Sequence, residues 1–402
     1  MTSERDQQIN ALAELAVRLG ANVQPGQIVS ISSEPGKEEL ARAIAEEAYL
    51  AGAKFVDLSV FDVHLKRSRL LHADRETLGY VPPWIGQRTL ALGDEHAARI
   101  SMSGPVAPHA LDDVDPEVIG LDMLPRIPES MTVVNDRTTN WTIVPAPTRD
   151  WAMLVHPRLE PAAALERLWA EIAHVCRLDE PDPSAAWRER FDELLRVAGT
   201  LTDRRFDTIH LEGPGTDLRV GLLASSRWIA ASMETVDGIV HHANLPSEEV
   251  FTTPDPERVD GTVTATKPLF TSGTAVTGLR VAFEAGRAVS IEAEEGAAVV
   301  RALVARDDGA ARLGELALVD REGRIGPLGT VFYDTLLDEN AASHIALGAG
   351  YQSGVDGDPD RPRVNTSQIH VDFMIGSEQV AVTGVQRDGT RVPLLRDGRW
   401  QI

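Results

Sequence analysis

Side chains able to hold a hard or borderline divalent ion gather in a few short segments toward the C-terminal end of this 402-residue chain. Glu339 and His344 share one segment, His370 and Asp372 flank a single valine in another, Glu315 stands just upstream, and a further segment supplies Glu249. Carboxylate and imidazole donors together suit zinc, cobalt or manganese, and acids outnumber histidines, as they do where one carboxylate bridges two ions. If the segments converge, they form a two-metal hydrolytic centre.

Each segment also has a plainer reading. In the run Gln368-Ile-His-Val-Asp-Phe-Met-Ile375, strand alternation puts His370, Asp372 and Met374 on one face and Ile369, Val371 and Phe373 on the other. That face is either a ligand pair or an incidental ion pair in solvent. Asp338-Glu339-Asn340 and His344 are embedded in apolar sequence, where unpaired carboxylates are strongly disfavoured; they are ligands, or a helix cap with a core histidine. Glu315 interrupts the apolar strand Leu313–Val319 and stands on a sheet edge or at a site. Of the adjacent Glu248 and Glu249, an extended backbone lets only one face a common site.

These residues need elements to hold them. Ile9, Leu12, Leu15, Ala16 and Leu19 recur at helical spacing, with Gly20 where a C-terminal cap belongs. The apolar run 28–31, a helix over about 37–51 closed by Gly52, and the run 55–60 predict a βαβ unit. Its turn, Ser32-Ser33-Glu34-Pro35-Gly36, lacks both glycine-rich phosphate cradles, so a structural parallel sheet is expected rather than a nucleotide site. Residues 160–197 read as helical, broken at 179–183. Beyond residue 200, short alternating runs separated by glycine turns predict antiparallel sheet. The expected organisation is an N-terminal α/β domain over 1–200 and a strand-rich α+β domain over 201–402 carrying the metal residues.

Composition narrows the function classes. With 61 acidic against 39 basic residues the formal charge is −22, which repels nucleic acid and anionic membranes. Cys176 is the only cysteine, so an internal disulfide and a cysteine-based zinc site are both excluded, and a cytoplasmic setting is expected. The first residues lack the pattern of a secretion signal, and no stretch approaches the apolar length of a membrane span. There is no GxSxG, and Cys176 and His174 lie on different helix faces, which disfavours serine or cysteine catalysis. His241-His242 reads as ordinary polar sequence, since neighbours in a strand point apart.

Four ordered segments carry a resemblance: Asn244-Leu-Pro-Ser-Glu-Glu-Val-Phe-Thr252, Gly314-Glu-Leu-Ala-Leu-Val319, Leu337-Asp-Glu-Asn-Ala-Ala-Ser-His-Ile-Ala-Leu-Gly348 and Ile369-His-Val-Asp-Phe-Met-Ile-Gly376. With Asn22–Gln27, Glu46–Ala53 and Gly213–Gly221, they resemble the aminopeptidase T, S and II family of bacterial dinuclear metallo-exopeptidases over nearly the whole chain. The resemblance implies Glu249, Glu315, His344, His370 and Asp372 as ligands of two divalent ions, zinc or cobalt before manganese or magnesium, with Glu315 bridging. It implies Glu339 as a ligand or proton-accepting base, a role Glu249 could share, and Tyr351 as a hydrogen-bond donor to the reacting centre. It further implies a short-peptide substrate and a homodimer; the free amine of such a substrate is held by a metal or by a spare acid such as Glu248. The stretch between His344 and His370 is short for the family, which bears on pocket shape. Two other readings stand beside it: a mononuclear iron ring-cleaving dioxygenase of related fold, which has no use for the extra acids, and a non-catalytic metal-binding protein.

Overall fold

The computed structural model describes residues 4–125, 127–230, 232–271, 274–357 and 359–402. The chain divides into two compact units, Met1–Trp187 with Ser232–Pro246, and Arg188–Ala231 with Ser247–Ile402. Where the sequence suggested a break at residue 200, this division falls at Trp187/Arg188, inside one long helix. Segment 232–246 also returns to the first unit, because it hydrogen-bonds along that unit's last strand, from Ile143 N to Ala243 O at 2.8 Å and from Leu245 N to Ile143 O at 3.0 Å.

The first unit holds a parallel sheet in the order β2-β1-β3-β4, formed by β1 (Ile28–Ser33), β2 (Phe55–Val60), β3 (Ala98–Ser103) and β4 (Trp141–Pro145). Helix α1 (Glu4–Glu14) runs on through a π-helical stretch to Gly20, and α2 (Glu38–Leu50) links β1 to β2 as the predicted βαβ crossover. Gly52, with φ +96°, closes α2 as expected. Gly20 has a different role from the one expected. The helix continues to Ala21, Asn22 takes the left-handed position with φ 50°, and a Cβ on Gly20 would come within 2.8 Å of Thr142 Oγ1. The glycine is there for close packing against β4. Further on come α3 (Pro161–Val175) and α4 (Pro183–Arg204), separated by the proline-bearing turn that the sequence announced.

Two antiparallel sheets dominate the second unit. The larger, of eight strands, runs in the order Arg287–Glu292, Arg280–Glu284, Pro254–Thr264, Thr216–Leu222, Thr208–Gly213, Ala381–Val385, Arg391–Arg396, Arg399–Trp400. The smaller contains the segments of interest: β5 (Trp228–Ala230), β6 (Glu249–Thr252), β7 (Leu313–Val319), β8 (His344–Gly348) and β9 (His370–Met374), in the spatial order β9-β8-β7-β6-β5. Its central strand β7 is buried at every position, as its apolar composition requires. The short helix α5 (Thr335–Glu339) precedes β8.

Candidate metal centre

Register decides which side chains share a face of the smaller sheet. Glu249 pairs with Val319, Ala317 with His344 and His344 with Met374, while Glu315 pairs with Ala346 and Ala346 with Asp372. Residues directly opposite share a face, as do residues two apart along a strand. Glu249, Glu315, His344, His370 and Asp372 therefore all project from one face. The small side chains of Ala317 and Ala346 alternate with them and leave the space above the strands free. Glu315 lies on the central strand, so the edge reading for it is excluded.

The side-chain geometry divides into two sets that share Glu315. Ligand atoms of Glu249, Glu315 and His344 lie within 4.8 Å of one another, and so do those of Glu315, His370 and Asp372. His344 Nε2 is 3.0 Å from Glu249 Oε2 and 3.9 Å from Glu315 Oε1. On the other side, His370 Nε2 is 3.3 Å from Glu315 Oε2 and 3.3 Å from Asp372 Oδ1. Glu315 thus turns one oxygen toward each set, as a bridging carboxylate does.

Three observations show that these donors fit metal ions. Glu249 Oε2 is buried and, despite its 3.0 Å approach to His344, has no aligned hydrogen bond. A bound cation would satisfy that buried oxygen. Both histidines engage a backbone carbonyl through Nδ1, His344 to Ala342 O at 3.1 Å and His370 to Ala349 O at 2.7 Å. That contact selects the tautomer whose Nε2 lone pair is free for a metal. The third is charge. Burial would lower the His344 pKa, yet Glu249, Asp372 and Glu315 push it up to about 10, and the same opposition raises His370. Such a surplus of buried carboxylate is what cations would neutralise.

The surrounding backbone is shaped to permit this. A bulge between Leu313 and Glu315 interrupts the β7–β8 pairing at Gly314, where a Cβ would lie 2.2 Å from Ala349 O, the carbonyl that anchors His370. Gly348, opposite His370, has φ +106° and would place a Cβ 2.1 Å from Ile369 O. Only glycine allows the His370 strand to approach this closely.

Glu339, at the end of α5, belongs to neither ligand set among the described residues. It stays electrostatically near them: burial first, then Asp372 and Glu249, raise its pKa well above the usual carboxylate range. A cavity between Glu339, Asp372, Met374 and Phe270 lies alongside. Tyr351 packs edge-on against His370, with ring centroids 5.2 Å apart, and against Phe251 at 5.7 Å. Glu248 is not at the centre. Its buried carboxylate pairs with Arg190 at 2.6 Å, so it is not free to hold a substrate amine. It stands just before β6, and its cationic partner comes from a helix distant in sequence.

His241 and His242 do not form a metal pair. His241 is buried in the first unit, 6.2 Å from the Trp141 ring, with neither ring nitrogen hydrogen-bonded. Burial holds its pKa down to about 4 from 6.5. Between pH 6.5 and 4 the unfolded chain therefore binds a proton that the folded one refuses, and stability falls as pH falls through that window. The cost at the acid end is about 3 kcal/mol, at about 1.4 kcal/mol per tenfold change in proton affinity. Urea midpoints measured across this range should flatten in H241F; an unchanged slope would remove His241 as the cause.

Comparison with known proteins agrees with this geometry. Residues 5–400 match the family described as thermophilic metalloprotease (M29). Aminopeptidase T of Thermus thermophilus is 42% identical, with 98% of each chain covered, and aminopeptidase 2 of Geobacillus stearothermophilus is 35% identical, also over 98% of each. The solved structure of wild-type AmpT from Thermus thermophilus superposes with a TM-score of 0.91 at 41% identity, covering 98% of this chain and 99% of that one. A 2,5-dihydroxypyridine dioxygenase from Pseudomonas putida shares the fold at a TM-score of 0.54 and 12% identity, covering 100% of this chain and 98% of its own.

Proposed function

The chain belongs to the thermophilic metalloprotease family and is a metal-dependent aminopeptidase, and from that premise we propose that its centre holds two divalent ions, one on either side of Glu315. The observation that carries this reading is the split of the Glu315 carboxylate, Oε1 toward His344 and Oε2 toward His370. Glu249 and His344 complete one ion's protein ligands, and His370 and Asp372 the other's. Bound ions would polarise the scissile carbonyl and acidify a water beside it. The nitrogen and oxygen donor set supports zinc or cobalt, with manganese or magnesium able to substitute.

The chain's own residues supply the remainder. Glu339, outside the ligand sets and raised in pKa, is suited to take the proton of the attacking water and return it to the departing amine; Glu249, placed among the ligands, is less free to do so. Tyr351, beside His370, offers a phenol to the oxygen on which negative charge develops. The substrate is a peptide with a free N-terminus, a homodimer is supported by the family resemblance, and a cytoplasmic setting by the lone buried Cys176. No helix among the described residues is long and apolar enough to cross a membrane.

Y351F tests the arrangement without touching a ligand. The variant should retain both ions and lose about 100-fold in kcat on an aminoacyl-p-nitroanilide, the usual cost of one oxyanion donor. An unchanged kcat would remove the hydroxyl from the reaction.

A further inference from the structure

Beside the metal centre, and not part of it, lies a buried cluster of one arginine and two acids. Glu248 immediately precedes β6 and Asp320 immediately follows β7. Because Glu249 pairs with Val319 in antiparallel register, Glu248 and Asp320 meet just past the end of that ladder. Both are buried, and two like charges facing each other across a strand pair force it apart. Arg190, from α4, lies between them. Its Nε donates to Glu248 Oε2 at 2.6 Å, Nη2 to Asp320 Oδ1 at 2.7 Å and Nη1 to Asp320 Oδ2 at 3.2 Å, and Nη1 also reaches Glu193 Oε2 at 2.7 Å.

We infer that Arg190 is a positioning residue for the Glu249 side of the metal centre, setting the register of the two strands that carry Glu249 and Glu315 by clamping Glu248 to Asp320. The inference rests on the two-ion reading above. Two neighbouring contacts act on the same strand end. Asn340 Oδ1 accepts the Glu248 backbone N–H at 2.7 Å, and Ser343, next to His344, accepts the Val319 N–H at 3.0 Å. Glu248 is therefore held through both backbone and side chain, and its neighbour Glu249 inherits that placement. A buried ion cluster is weak as a source of stability, since apolar packing does as well, whereas specifying register is its best-attested use. The planar guanidinium matters here, because an ammonium cannot bridge two carboxylates in the same fixed geometry.

Full-length protein stripped of metal and titrated with cobalt(II), followed by visible absorption, reads the two binding steps separately, with H344A identifying the step that belongs to Glu249 and His344. In R190K that step should weaken about 10- to 100-fold, as loss of an outer partner of a ligand does, while the step at His370 and Asp372 stays at the parent value. E248A, which leaves Arg190 paired with Asp320 and Glu193, should weaken the same step and decides the matter alone if R190K does not fold. Unchanged affinities in both variants, or equal weakening of both steps, would overturn the inference and leave Arg190 a structural residue only. A parent protein showing one cobalt step, or an H344A protein losing none, would instead defeat the two-ion reading and take this inference with it.

Discussion

Substitution of Glu315 by Gln should lower kcat/KM by about three orders of magnitude or more, since the metals' contribution to transition-state stabilisation is several kcal/mol and each 1.4 kcal/mol is about tenfold. Gln keeps the shape of the side chain but offers an oxygen on one side only, so the amide NH₂ faces one of the two ion positions. Metal content should fall with activity. The loss should not come from unfolding: burial is the main force raising the Glu315 pKa, so its charge is a burden to the folded metal-free protein at neutral pH. Metal-free E315Q should accordingly melt no lower than the metal-free parent. Full turnover with two ions bound would remove Glu315 from the bridging position.

Glu339→Gln should produce the opposite dissociation between metal and rate. A proton acceptor contributes about 10²- to 10⁴-fold, so with Glu339 in the role proposed for it kcat should fall by that factor while KM and the metal content stay at parental values. Its place outside both ligand sets, combined with a pKa raised by burial and by Asp372 and Glu249, is the basis for that expectation. Loss of an ion in this variant would make Glu339 a ligand, and an unaltered kcat would leave it no part in the reaction.

The sequence revealed the site's local geometry more readily than its long-range geometry. Alternation alone placed His370 and Asp372 on one face, because a strand's period is a property of the backbone. Whether Glu315 lay at an edge or in the centre of a sheet depended on pairings with β6 and β8, which no local pattern encodes. Glu249 joined the set through resemblance, and its register opposite Val319 now gives a physical reason. In sequence Glu248 reads as a spare acid able, like a metal ion, to hold the substrate amine, because its partner Arg190 comes from a helix far away in sequence. Strand alternation puts Ala317 on the Glu315 face and Ala346 on the His344 face, but the room these small side chains leave becomes visible only once the strands are paired.

The βαβ unit and the change to antiparallel texture were legible for the same local reasons. The division between the units was not. Segment 232–246 returns to hydrogen-bond with β4, and such a return depends on tertiary pairing rather than on composition. Gly20 shows a related limit: a glycine near a helix end reads as a cap, while its contact with Thr142 becomes visible only once β4 is in place.

The two-ion centre is tested by the metal content of the active, purified chain, measured by elemental analysis alongside its rate on aminoacyl-p-nitroanilides. Two divalent ions per chain are expected at full activity, with activity lost on chelation and restored as both positions refill. Full activity with a single ion per chain, or with none, would contradict that expectation.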